Sequence, residues 1–370
     1  MRAALLLLAA CGAGAAEAPR AAGPVAVAAP PADAGVDAAV IDAPVDAPPP
    51  ATASDEVWLK GSTHVHAAPS GDSSEPLRGV IAWYENRHYD FIVLTDHNKV
   101  TPPEQGHSLI VIAGAELTFN PSGCLPEGDK SKKCRIHVNA IGVTERPAGK
   151  IEWANRHTHD RLAMYQAALD ESHHLGAALI QINHPQWYWG TTGDLLAELA
   201  QRGAQLFEVA NAQFPTWNAG DADHPSLEKI WDDALGRGVT IFGVASDDAH
   251  AYDDAHAYDE PHGKWPAGGG WVVVKARRDP RAILSSLAAG RFYASTGVVL
   301  THAEVESGEL VVEVGPDERG SYVIEFIENG KLADRVVGKS ARRAIPQRGY
   351  VRAVVTRDDG AKAWVQPVRR

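Results

Sequence analysis

Cysteine is scarce: three occur in 370 residues, too few for a thiolate-rich metal cage. Positive charge is also in short supply. The net charge of −12 lacks the basic footprint that a nucleic-acid polymer needs. A small phosphorylated substrate stays admissible, because bound metal inverts the local sign. No motif for a Ser/His/Asp or Cys/His nucleophile stands out, and the folded part shows no repeat. What is present is ample apolar material. With 45% hydrophobic residues and 10 Trp, a chain of this length supports one large or two medium domains with a sizeable core.

The first residues, Met1-Arg2-Ala3-Ala4-Leu5-Leu6-Leu7-Leu8-Ala9-Ala10-Cys11, join one basic residue to a short apolar run. This is a secretory pattern, too short for a permanent membrane span. Leu8-Ala9-Ala10-Cys11 resembles a bacterial lipobox. The expectation is a signal peptide over 1–11, lipidation at Cys11 and a lipid anchor in the cell envelope, periplasm or outer membrane. Residues 12–53 are rich in Ala, Pro and Asp without helical or strand period, the composition of an extended tether. Cys124 and Cys134 flank a polar loop. In an oxidising compartment they are expected to form a disulfide worth ~2–3 kcal/mol. The competing reading is a metal thiolate, since Cys134 and His137 are three residues apart.

From Val57 onward short apolar runs alternate with longer amphipathic ones, the pattern of a β/α protein with parallel strands. The strand candidates are 57–62, 91–94, 109–115, 136–141, 178–183, 206–211, 240–245 and 271–274. Apolar spacing predicts helices over 75–87, 158–174, 192–202, 226–237 and 280–289. Beyond 298 only short strand patterns occur, with turn signals at Asn329-Gly330 and Asp359-Gly360. The expected architecture is α/β: a barrel domain over 54–297, then a small antiparallel β-sandwich over 298–370.

The chemistry gathers at strand ends. His64 and His66 follow the first apolar run, and residues two apart on an extended chain face one side. Asp72, His97, Glu116, His137, His184, Asp248 and His250 recur at or near the ends of the following runs. Ligands in closed or doubly wound β/α folds sit at such ends, and buried charges need partners or a metal. Imidazole and carboxylate without thiolate suit Zn, Mn or Fe. The excess over four ligands points to more than one ion. Lys99, just past His97, is a candidate cation for a substrate anion. The Asp-, His- and Tyr-rich loop 251–266 is a candidate pocket wall. The remaining histidines read as helix-surface or loop residues.

Taken together, HxH, Thr-Asp-His, a strand-end Glu, an internal His, His-Pro and Asp-x-His resemble the polymerase and histidinol phosphatase (PHP) domain superfamily over residues 57–297. The resemblance implies a distorted (β/α)7 barrel holding two or three divalent ions. His64, His66, Glu116 and Asp248 would hold one ion, Glu116, His137 and His184 a second, and Asp72, His97 and His250 a third. The loop aspartate of that family lies five residues after the second His; here Gly71 takes that position and Asp72 follows it. Asp96 is implied as an aspartate that orients an imidazole. Asp247 could stand in for Asp248, although spacing to His250 favours Asp248. The secretory start, the Gly290-to-Gly297 stretch and the β tail look like an extracytoplasmic branch that includes enzymes of the carbaryl-hydrolase type.

The leading expectation is therefore a metal-dependent phosphoesterase with a hydroxide bridging the ions and Asp248 or His250 passing a proton. The alternatives are hydrolysis of a carbamate or carboxylic ester at the same centre, or a surface binding protein that keeps the barrel as a scaffold. The expected partners are a small-molecule ester and, through the N-terminal lipid, a membrane.

Overall fold

In the computed structural model, residues 55–104, 106–155, 157–253 and 267–370 are described. The expectations for 1–53, including lipidation of Cys11, and for most of the loop 251–266 lie outside them. The chain begins with β1 (Val57–Val65), α1 (Leu77–Glu85), β2 (Phe91–Leu94), β3 (Ile110–Phe119) and β4 (Ile136–Ile141). It continues through α2 (Arg161–His174), β5 (Leu179–Ile182), α3 (Gly193–Gln201), β6 (Leu206–Asn211), α4 (Pro215–Ala219), α5 (Leu227–Gly236) and β7 (Phe242–Ser246). Then come β8 (Trp271–Ala276), α6 (Pro280–Ala288) and β9 (Phe292–Ser295). The tail is all strand: β10 (Leu300–Glu306), β11 (Glu309–Val314), β12 (Tyr322–Glu328), β13 (Lys331–Val337), β14 (Ser340–Ala344), β15 (Val351–Arg357) and β16 (Lys362–Val368).

The long helices start where the sequence supplies caps. Asp160 accepts the Ala163 N–H, Thr192 the Leu195 N–H, Ser226 the Lys229 N–H, and Asp279 those of Arg281 and Ala282. Each such cap contributes about 1 kcal/mol. On α5 the buried residues Leu227, Ile230, Trp231, Ala234 and Leu235 recur at three- and four-residue spacing, one face of a helix. The short α4 follows Phe214 and was not legible as a helix.

Among the described residues, thirteen strands form one mixed sheet in the order β13-β12-β15-β16-β9-β8-β1-β2-β3-β4-β5-β6-β7, and β10-β11-β14 form a second sheet. The expected (β/α)7 barrel does not form, because the sheet is open. Two features depart from it. The second edge of β1 is taken by β8, which runs antiparallel from Val57↔Ala276 to Gly61↔Val272. Then β4 runs antiparallel to both neighbours, β3 and β5, where a barrel of β/α units needs parallel strands joined by crossovers. The segment after β7 nonetheless reaches β1: Val65 and Ala249 make an isolated parallel bridge, and the His66 N–H donates to the Ala249 carbonyl at 3.1 Å.

The tail strands are not set apart from the main sheet. β16 pairs with β9 through Ala363↔Ser295 and Val365↔Tyr293, and the described residues fall in one compact unit. The three-stranded sheet covers this extension, with Leu310, Val312 and Leu300 packed in one core with Ile324, Phe326, Val355 and Tyr293. No helix among the described residues is long and apolar enough to cross a membrane.

One buried ion pair ties the tail to α5. Arg352, 1% exposed, donates from Nε and Nη2 to the two Asp232 oxygens, each at 2.7 Å, and Tyr350 donates to Asp232 at 2.8 Å. Asp232→Ala leaves a buried guanidinium without its main partner, so urea unfolding should show a loss of about 3–5 kcal/mol. A loss below about 1 kcal/mol, the size of an exposed pair, would show that this clamp carries little of the stability.

Candidate metal centre

The strand directions bring the ligand-type residues to one edge of the sheet. In β1 the pairing with β2 shifts register between Ser62 and Val65, and such irregularities re-aim side chains. The His64 and His66 rings emerge with centroids 5.0 Å apart. Glu116 lies inside β3 rather than at its end, and His137 is near the beginning of β4. Because β3 and β4 are antiparallel, with Thr118 opposite His137, the start of one strand lies beside the finish of the other. His184 and Asp248 follow β5 and β7 in left-handed backbone conformations, with φ of 23° and 47°. Such residues persist where the surroundings over-determine them, commonly at functional sites.

All nine expected ligand residues converge. Four sets have ligand atoms within 4.8 Å of one another: His66 with Asp72, His97 and His250; His64 with His184 and Asp248; His64 with His66 and Glu116; and Glu116 with His137 and His184. His64 Nε2 lies 3.2 Å from Asp248 Oδ1 and 3.4 Å from Glu116 Oε1. His66 Nε2 lies 3.3 Å from Asp248 Oδ1 and 3.7 Å from Glu116 Oε2. Metal bonds of about 2.0–2.1 Å set neighbouring tetrahedral ligand atoms about 3.3–3.4 Å apart, so this arrangement has the dimensions of a coordination shell. The buried atoms His64 Nε2, His66 Nε2 and His184 Nδ1 have no hydrogen-bond partner among the described residues. An unmet buried nitrogen costs about 1–3 kcal/mol, and a cation at the cluster would satisfy the two Nε2 atoms, which face Glu116 and Asp248; His184 faces the cluster with its Nε2 instead. The cluster can hold metal ions.

The surrounding contacts orient the rings. His64 Nδ1 donates to Glu208 Oε1 at 2.7 Å, which leaves its Nε2 lone pair facing the cluster. Glu208 also accepts the His184 backbone N–H at 2.5 Å, Ser246 Oγ at 2.5 Å and Asn211 Nδ2 at 2.9 Å. His66 Nδ1 pairs with Ser70 Oγ at 3.0 Å, and His250 Nδ1 donates to the Asp248 carbonyl at 2.7 Å. Asn183 donates to Glu116 Oε1 at 2.9 Å and to Asn139 Oδ1 at 2.8 Å. His137 has partners at both ring nitrogens, Glu116 Oε1 at 2.9 Å and Asn120 Oδ1 at 2.8 Å. His97 bridges Glu116 and Asp72, each at 2.7 Å, and His250 Nε2 is 3.3 Å from Asp72. The loop after His66 thus delivers Asp72 to the cluster.

The electrostatics are those of buried carboxylates seeking positive charge. Burial opposes ionisation of Glu116, yet His137, His64 and His97 hold its pKa well below the usual range. Asp248 is likewise held well down, against burial, by His64, His66, His250 and His184. On the imidazole side, burial opposes the charge on His64, but Asp248, Glu116 and Glu208 raise its pKa well above the ordinary value. His97 is raised to about 10, because Glu116 and Asp72 outweigh burial. His66, buried and next to the cationic forms of His250 and His97, falls to about 3. His137 falls to about 4 through burial, which Glu116 only partly offsets.

The two adjacent aspartates divide cleanly. Asp248 faces His64 and His66, whereas Asp247 accepts from Ser62 at 2.7 Å, Tyr84 at 2.9 Å and the Gly268 N–H at 2.8 Å. Burial raises Asp247 to about 6. Asp96 does not orient an imidazole; it accepts the Ala67 N–H at 2.8 Å and the Thr101 hydroxyl, and so fixes the turn after His66. Cys124 and Cys134 are at bonding distance with Cα atoms 5.7 Å apart, so Cys134 is no ligand. Lys99 lies outside the metal cleft, in a hollow of about 440 Å³ lined also by Ser70, Lys150 and His97. The cleft itself, about 210 Å³, is walled by seven of the nine ligand residues, all but His64 and His66, together with Asn120, Trp187 and Phe214. Sequence reasoning missed Glu208, Asn183, Asn120 and the two aromatics. For Glu208 a signal existed: a carboxylate within the apolar run Leu206-Phe207-Glu208-Val209.

No protein-family model matches the chain, and no curated protein matches its sequence. The geometry therefore carries the functional reading alone.

Glu208→Gln removes the charged acceptor behind His64. Metal affinity should fall about 10- to 100-fold, measured by chelator competition with circular dichroism as the fold control. Unchanged affinity would remove Glu208 from that role. A second expectation concerns pH. The His97 pKa is raised from 6.5 to about 10 on folding, so its contribution is complete below 6.5 and lost as pH rises towards 10. The melting temperature of metal-free protein should decline over that interval, and excess divalent cation, taking the place of the proton, should flatten the decline. A flat profile without metal would contradict the charge assignment.

Proposed function

We propose that the protein is a metal-dependent hydrolase of PHP type, acting on small phosphate esters. One observation carries this reading: nine His, Asp and Glu side chains meet at one sheet edge, where the buried Nε2 atoms of His64 and His66 lack hydrogen-bond partners. His64, His66, Glu116 and Asp248 would hold one ion, Glu116, His137 and His184 a second, and Asp72, His97 and His250 a third, with Mn, Zn or Fe suited to the donors. Bound divalent ions supply Lewis acidity and lower the pKa of water. The chain's own residues set the rest. Asp248 and His250 border the cleft and are the groups to hold or move a proton there, with His250 Nδ1 fixed on the Asp248 carbonyl.

Hydrolysis of a carbamate or carboxylic ester at the same centre is a second reading. Trp187 and Phe214 on the cleft wall favour it, since they accommodate an uncharged ester. We place the protein in the cell envelope, anchored through Cys11; the Cys124–Cys134 pair supports an oxidising compartment.

Purified protein should contain stoichiometric transition metal, lose hydrolysis on chelation and regain it with Mn, Zn or Fe. Replacing His64 and His66 together by Ala should abolish both metal and activity. The ratio of kcat/KM on para-nitrophenyl phosphate to that on para-nitrophenyl acetate separates the two readings. Metal-loaded protein that cleaves neither an ester of phosphate nor a carboxylic or carbamic ester would overturn the hydrolase assignment and leave the scaffold role.

A further inference from the structure

The loop closed by Cys124 and Cys134 concentrates positive charge beside the metal cleft, in a chain whose net charge is −12. Lys130, Lys132, Lys133 and Arg135 fall in its last turn and just past it. Lys132 pairs with Glu127 at 3.1 Å, whereas Lys133 and Arg135 form no ion pair with a carboxylate among the described residues. Two aromatic rings hold them instead. The Arg135 guanidinium lies 4.9 Å from the ring centres of both Trp187 and Tyr188. The Lys133 ammonium lies 4.9 Å from the Tyr188 ring centre and 3.3 Å from its hydroxyl. Tyr188 holds a φ of 60°, which bulky residues rarely adopt, and its ring stacks on Trp187 at 5.5 Å. Trp187 is itself a wall of the cleft, 5.6 Å from the His137 ring and 5.3 Å from the His184 ring. Arg135 therefore stands one ring away from two residues of the metal site. It is partly buried, its Nη1 donates to the Cys134 carbonyl at 2.8 Å, and its Nε is buried without a partner. A guanidinium so placed lacks a compensating anion, and its planar fork matches a carboxylate or a phosphate.

We propose that Lys133 and Arg135 form an anion subsite at the rim of the cleft, which selects phosphate esters whose alcohol carries a second anionic group, a carboxylate or another phosphate. This rests on the hydrolase reading above and specifies its substrate class. The scissile phosphate faces the His, Asp and Glu floor, and the second anion reaches past Trp187 to the two cations. The cleft, at about 210 Å³, lies below the range of about 300–1,000 Å³ usual for ligand pockets, so a ligand seated on the floor extends to the rim. The pair also offers approaching anions a local attraction on an otherwise negative molecule. The bond from Cys124 to Cys134 fixes the start of the segment that carries Arg135 into β4, which gives this loop a role in recognition as well as in stability.

The two cations could instead serve only to brace Trp187 and Tyr188, and the test separates these roles. Phosphonobutyrate and butylphosphonate differ by a terminal carboxylate, and neither can be hydrolysed. Both are titrated into metal-loaded protein by calorimetry, with metal content measured alongside. Wild type should bind phosphonobutyrate about tenfold more tightly, the size of one charge-assisted contact, and the preference should shrink as salt rises. Arg135→Gln should erase the preference while butylphosphonate still binds and metal content holds. Arg135→Lys should keep part of it, and Lys133→Gln, at an exposed position, should weaken it. In kinetics Arg135→Gln should raise KM for the phosphate monoester of gamma-hydroxybutyrate about tenfold relative to KM for butyl phosphate. A wild type without the preference, or one that binds neither compound, overturns the proposal whether or not the variants fold. So does an Arg135→Gln protein that keeps the preference, weakens both ligands equally or shows lost metal as its only defect. Hydrolysis with no preference for the second anion would sink this inference and leave the hydrolase assignment standing. The preference in a protein that hydrolyses nothing would sink the hydrolase assignment and leave the subsite.

Discussion

The Glu116 carboxylate is wholly buried, and five histidines surround it: His97 at 2.7 Å, His137 at 2.9 Å, His64 at 3.4 Å, His184 at 3.5 Å and His66 at 3.7 Å. A buried anion of this kind is tolerated only where positive charge and hydrogen bonds compensate for lost hydration. Protons on His64 and His97 provide that charge in the metal-free chain, and divalent cations would provide it more directly. Asp248 repeats the same problem from the opposite side of the cluster, and the remaining polar layer is arranged around these two groups. Glu208, Asn183 and Asn211 donate to or accept from the cluster from behind, and Asn139 accepts from Asn183. A core built this way is conditionally stable, because its electrostatics close only when the cation count is right.

The sheet exists to bring these groups to one edge. Parallel strands β1, β2, β3, β5, β6 and β7 present their finishing ends there, and β4, reversed, presents its start. The left-handed residues His184 and Asp248 sit just past β5 and β7 and turn their side chains inward. Beyond β1, strands β8 and β9 and the tail extend the sheet and add a second apolar core. The Arg352–Asp232 pair then locks that extension to α5. The tail thereby supports the strands carrying the site without contributing a ligand to it.

Much of this was legible in the residues. The helices over 161–174, 193–201, 227–236 and 280–288 follow from apolar spacing and caps, which are local properties. The ligand set was legible because His and carboxylates after apolar runs are unusual enough to demand a common partner. Four strands went unread, β9, β10, β13 and β14. β13 carries charges at Lys331, Asp334 and Arg335 and β14 at Arg342 and Arg343, and pairing rather than composition makes them strands. The supporting residues Asn183 and Asn120 were equally silent, since an asparagine signals nothing until its neighbour across the sheet is known.

The sequence by itself determined which side chains are available to bind cations, where most helices begin, and which cysteines can pair. Those depend on residue chemistry and short-range spacing. Tertiary structure alone decided that β4 runs backwards, that β8 occupies the free edge of β1 and keeps the sheet from closing, and that Trp187 and Phe214 wall the cleft. Each of those outcomes turns on contacts between segments tens to hundreds of residues apart, and such contacts are set by which packing buries the most apolar surface with every polar group satisfied.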